Sequence, residues 1–179
     1  MGFLDGALVM TMAPRPSRFL VLARTFEGFV GWVLRWSGQI PIDQHRGDRP
    51  ALGKALAVLG AGGVIGIFPK GGRGRGDFAS AGKGVAWLAL QSGAVVVPTA
   101  CLGTRRTGDP AASWPRWRTR LVVDFGPAVV LDLPDGLPGR ARLDRATEQI
   151  RTALVAHVLA AEARHGIPLP TDVPPDLLD

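Results

Sequence analysis

The run Val64-Ile-Gly-Ile-Phe68 limits the possible fold more than any other segment. It is β-branched and almost wholly apolar, as a strand buried on both faces is, and such strands belong to parallel sheets covered by helices on both sides. The rest of the chain repeats this alternation. Residues 18–23, 39–42, 94–101 and 119–125 have strand length and apolar character, and helical patterns lie between them. The predicted helices cover residues 5–12, 25–37, a segment through Leu52, Leu56, Val58 and Leu59 that ends at the glycines of 60–63, residues 82–92, and residues 140–164. Strands alternating with helices predict an α/β fold: a single domain with a mostly parallel central sheet flanked by helices.

At 179 residues the chain is the size of one domain, and neither an internal repeat nor a linker interrupts it. Residues 1–165 are expected to form that domain and residues 166–179 a loose Pro-rich tail. Within residues 25–37, Phe26, Phe29, Val30, Val33, Leu34 and Trp36 recur at helical spacing. Such stripes normally face a core, which is the expectation here, with lipid contact as the alternative. Residues 1–12 carry Asp5 and lack a basic start, so they do not read as a secretory signal. The uncharged run 55–69 falls short of the roughly 20 residues a membrane span needs, and the run 84–104 is broken by Gln91, Ser92, Gly93 and Pro98.

The formal charge of +6 favours an anionic partner, whether a membrane surface, a phosphorylated substrate, an acyl-carrier group or nucleic acid, and charge alone does not choose among them. Cys101 is the only cysteine, so an internal disulfide, a cysteine zinc site and a CxxC redox pair are all ruled out, and a reducing cytoplasm is the simplest setting.

The chemistry concentrates in Phe68-Pro-Lys-Gly-Gly-Arg-Gly-Arg-Gly76, which directly follows the buried strand. Parallel sheets bind ligands beyond the carboxyl ends of their strands. Glycines there let backbone N–H groups approach an anion, and arginines offer bidentate donors to phosphate oxygens. The bland reading is a solvated loop. A nucleotide P-loop does not fit, because Gly82-Lys83 is followed by Gly84 and has Asp77 where the first glycine belongs.

This segment resembles the FPEGTR block of the PlsC-type glycerophospholipid acyltransferases. Gly38-Gln-Ile-Pro-Ile-Asp43 is similar to that family's second block, GxIxIDR, and Val95-Val-Val-Pro98 to its final block, a strand ending in proline. The blocks agree in order and spacing up to about Pro127. The resemblance implies a glycerol-3-phosphate acyltransferase-like fold and transfer of an acyl group from acyl-CoA or acyl-carrier protein to a lysophospholipid hydroxyl, with 1-acyl-sn-glycerol-3-phosphate as the expected acceptor. It implies no cofactor and no metal, a peripheral place on the inner face of the cell membrane, and no nucleic-acid partner. Lys70, Gly71, Gly72 and Arg73 would bind the acceptor phosphate, and Ile42, Asp43, Gln44, Phe68, Pro69 and Pro98 would line the substrate pocket.

The family's catalytic signature is HxxxxD, in which an imidazole serves as base because a free carboxylate is too weak toward an alcohol at neutral pH. Asp5 matches its acid, so the histidine would stand immediately before Met1. Two readings remain open there: a start placed too late, or loss of the base. Lys70 replaces the glutamate of FPEGTR and Gln44 the arginine of the second block, which keeps a second function in play, a non-catalytic binder of lipid phosphates on the same fold. His45 is a weak candidate for a substitute base, and His157 and His165 are expected to be solvent-exposed. Cys101 reads as a small buried apolar residue. Trp114 and Trp117, flanking Pro115 and Arg116, could stack bases, but no nucleic-acid motif accompanies them.

Overall fold

The computed structural model describes residues 4–43, 48–68, 83–110 and 113–172. Its elements run α1 (Asp5–Met12), β1 (Ser17–Leu22), α2 (Gly28–Trp36), β2 (Ile40–Ile42), α3 (Arg49–Gly60), β3 (Val64–Gly66), α4 (Lys83–Ser92), β4 (Thr99–Leu102), β5 (Val122–Phe125) and α5 (Gly139–His165). The architecture is α/β, as the alternating pattern predicts.

Three strands form a parallel sheet in the order β2-β1-β3. β2 pairs with the second half of β1 (Leu20 with Ile40, Leu22 with Ile42) and β3 with the first half (Ser17 with Val64, Phe19 with Gly66). Pro41 is tolerated because β2 is an edge strand, where a missing N–H costs little. Just ahead of β2 the ladder is continued by a side chain: Gln39 is buried and its Oε1 accepts the Phe19 N–H at 2.7 Å. β4 and β5 make a separate antiparallel pair, and the segment before β4 adds only a single Val96–Val129 bridge, so the strand expected over 94–101 is shorter than its apolar run.

Helices cover these sheets where their apolar faces fall. α3 starts at Asp48, whose carboxylate caps the helix by accepting the Ala51 N–H at 3.0 Å, with Pro50 in the first turn. Ala51 and Ala55 of α3 then pack with Ile40 and Leu88, joining α3 and α4 to the parallel sheet. α5 carries the predicted apolar side: Ile150 packs with Ala86 and Ala146, while Val158 and Ala161 pack with Ala100 and Leu102 of β4.

Three expectations need correction. The aromatic stripe of α2 does not face a core, apart from Phe26, which is buried. Phe29, Trp32 and Trp36 are 77%, 58% and 79% exposed and stack on one another along the helix, with ring centroids 6.0 and 6.4 Å apart. α2 packs only lightly on the other described elements, and Gly31 is its one buried residue. Second, His157 is buried and His165 is partly buried, because both reach Asp124 on β5. Third, the chain after α5 is not loose as far as residue 172: Ile167 and Leu169 pack on the β4–α5 core, and Asp172 grips Arg105 at 2.7 Å.

Candidate active site

α1, β1, β3, α4, α5, β4 and the segment before β4 line an open cavity of about 1530 Å³. Its walls are mostly aliphatic and aromatic: Phe19, Ile67, Leu88, Val97, Leu154 and Val158 are representative. Ordinary small-molecule pockets occupy roughly 300–1,000 Å³, so this one has room for a long apolar chain.

Asp5 lines this cavity from the first turn of α1 and is only 3% exposed. Burying a carboxylate costs several kcal/mol unless other groups support it, so its position at the cavity wall is a designed one. Cys101 of β4 sits next to it, with its thiol directed at the Asp5 carbonyl oxygen 4.0 Å away. Burial, and after it the nearby Asp5 charge, push the Cys101 thiol up to about 12, so it stays protonated at neutral pH and is no nucleophile. The expectation of an inert, largely buried cysteine holds.

The structure unites part of the expected pocket. Phe68 and Pro98 line the same cavity as Asp5. Phe68 stacks on Phe19 with centroids 5.4 Å apart, and its ring reaches Gly6, the neighbour of Asp5, at 3.5 Å from where a Cβ on that glycine would stand. Gly66 makes this stack possible: a Cβ there would lie 2.2 Å from the Phe19 ring. Ile42 and Asp43 are placed differently, at the end of β2. Ile42 packs on the α3 core and the Asp43 N–H donates to Asp48 at 2.9 Å; neither is among the residues lining the cavity. Gln44, His45, Pro69, Lys70, Gly71, Gly72 and Arg73 lie outside the described residues.

Sequence reasoning missed two contributors. α5 provides a whole wall through Ile150, Leu154, Val158 and Glu162, although its apolar stripe reads as ordinary packing. Arg105 also lines the cavity, and it is buried because Asp172 and the Asp109 carbonyl take its guanidinium. A charged residue just past a buried strand was the available signal.

A parallel α/β sheet with a large apolar cavity, lined near a buried carboxylate by an aromatic stack, defines a protein that can hold a long apolar ligand against an acid. The family model for acyltransferases matches residues 2–102, more than half of the chain, so the protein belongs to the acyltransferase family, the PlsC type that its blocks resemble. No curated protein and no solved structure matches the chain.

Proposed function

We propose that the protein transfers a fatty acyl group from a thioester carrier, acyl-CoA or acyl-carrier protein, to the free hydroxyl of a lysophospholipid, with 1-acyl-sn-glycerol-3-phosphate the favoured acceptor. The observation that carries this reading is Asp5, buried at the wall of an apolar cavity large enough for an acyl chain. In the reaction the hydroxyl oxygen attacks the thioester carbonyl, a base takes its proton, and the tetrahedral intermediate collapses to the ester as the carrier thiol leaves with a proton. Asp5 is the acid that holds an imidazole base in the correct tautomer and stabilises it once it is charged. Lys70, Gly71, Gly72 and Arg73 grip the acceptor phosphate.

The lysophospholipid is delivered from the inner face of the cell membrane, to which the protein binds peripherally. The exposed Phe29, Trp32 and Trp36 ridge supports this, since aromatic side chains of this kind settle at the lipid headgroup level. Among the described residues no helix is long and apolar enough to cross a membrane.

The signature that Asp5 matches puts its imidazole five positions earlier, so the test supplies one. The chain is prepared with a histidine immediately ahead of Met1 and, separately, with an alanine there, and release of free thiol is followed with acyl-CoA and lysophosphatidic acid. Turnover by the histidine form alone, lost on Asp5→Asn, is expected. A folded histidine form that binds lysophosphatidic acid without turnover defeats acyl transfer and leaves the lipid-phosphate binder.

A further inference from the structure

Beyond the end of β4, a second pocket of about 430 Å³ is lined by four arginines, Arg105, Arg106, Arg118 and Arg120. Four guanidinium groups around one concavity make it positive and attractive to anions. Among the described residues, the two carboxylates nearby are already engaged. Asp172 is taken up by Arg105 and by the Gly108 N–H at 2.8 Å, and Asp109 accepts the backbone N–H of Arg106 at 3.2 Å. Among the described residues Arg106, Arg118 and Arg120 form no ion pair, and all three are exposed.

The backbone is shaped to bring these cations together. Gly103, at φ +83°, packs so closely on the opposing chain that a Cβ would lie 2.2 Å from the Arg120 carbonyl oxygen. That contact draws the loop after β4 onto the segment before β5. Arg118 adopts φ 65°, a conformation uncommon for a residue with a side chain and concentrated at binding sites. Asp172 completes the frame by tying the end of the chain to Arg105.

The arginine pocket also adjoins the acyl cavity: Gly103, Arg105, Leu169 and Pro170 line both. We propose that this pocket binds the phosphate groups of the carrier that brings the acyl chain, so that one ligand lies with its phosphates among the arginines and its apolar chain in the large cavity. Guanidinium groups suit this role because they hold phosphate oxygens through paired, charge-assisted hydrogen bonds. Only the identity of the carrier rests on the acyl-transfer reading; the preference for phosphate rests on the arginines.

The test is calorimetric titration of the full chain with coenzyme A, lysophosphatidic acid and inorganic pyrophosphate. The proteins are wild type, the triple variant Arg106→Ser, Arg118→Gly, Arg120→Ser, and a control that removes surface arginines elsewhere, Arg140→Ser with Arg142→Ser, on the exposed start of α5. Glycine is used at 118 to keep its backbone conformation, and an unchanged thermal midpoint shows that the triple variant is folded. The triple variant is expected to bind coenzyme A at least tenfold more weakly, with a shallower salt dependence, while the control and lysophosphatidic acid binding stay within about twofold. Competition by pyrophosphate in wild type alone supports a phosphate site. Unchanged coenzyme A affinity overturns the proposal, and so does a loss confined to lysophosphatidic acid, which would assign the pocket to the acceptor. If turnover occurs and the triple variant keeps the wild-type KM for acyl-CoA, this inference fails while acyl transfer stands. Arginine-dependent coenzyme A binding without turnover has the opposite meaning.

Discussion

Replacing Gly66 by alanine should damage the cavity through a chain of three contacts. The new Cβ would stand 2.2 Å from Phe19 Cε1, and ordinary contact begins near 3.4 Å, so the ring must retreat by about 1.2 Å. It must press on Phe68, stacked behind it with ring planes 17° apart and abutting Gly6 beside Asp5, or swing into the cavity that both rings line. Overpacking of this kind costs about 1–3 kcal/mol. At roughly 2–4 °C per kcal/mol for a domain of this length, the thermal midpoint should fall by about 2–12 °C. Since Phe19 and Phe68 both line the cavity, binding of an acyl chain should weaken in parallel. Urea and thermal denaturation of Gly66→Ala, Phe19→Leu and the double variant give a cycle. Leucine relieves the clash, so the double variant should be more stable than the two single losses predict by at least about 0.5 kcal/mol. Simple additivity, or an unchanged midpoint for Gly66→Ala, would refute the reasoning.

Three further outcomes follow from the structure. Cys101, with its thiol pushed up to about 12 by burial and then by Asp5, should resist a thiol reagent at pH 8 in the folded protein and react at the rate of an ordinary cysteine in denaturant; fast labelling of the native state contradicts the placement. Burial alone would raise the Asp124 carboxyl, but the His165 hydrogen bond and the Arg164 and His157 charges outweigh it and hold it below its ordinary value. Its contribution is therefore present above the unfolded value near 4 and lost as pH falls through the lower folded value. Asp124→Asn should cost about 1–2 kcal/mol at pH 7, after allowance for the exposed Arg164, and progressively less as the pH falls below about 4; an undiminished cost at acid pH, read from urea midpoints, argues against this linkage. Replacing Phe29, Trp32 and Trp36 together by serine should remove most binding to vesicles containing anionic lipid in a sedimentation assay, without lowering the thermal midpoint, because these rings cover no core. Retained binding would place the lipid contact elsewhere.

The pattern of residues alone determined the layering and the family. Val64 to Phe68 reads as a strand because β-branched side chains without polar breaks suit one, although β3 forms only over Val64–Gly66 and is half-buried rather than buried on both faces because it lines the cavity, and α5 shows its buried side in the spacing of Ile150, Leu154 and Val158. The candidate acid was legible too, since Asp5 stands where the HxxxxD signature has its carboxylate, and the fold buries it at the cavity wall. Periodicity reports that a face is apolar without naming what covers it. For this reason the α2 stripe and the α5 stripe look alike in sequence, yet one is open to solvent and the other walls a cavity. His157 and His165 looked like surface residues of a helix end until the fold brought Asp124 to them from 33 and 41 residues away. The arginine pocket has the same origin. Gly103 must nearly touch the Arg120 carbonyl before Arg105, Arg106, Arg118 and Arg120 share one space, and only chain packing sets that distance.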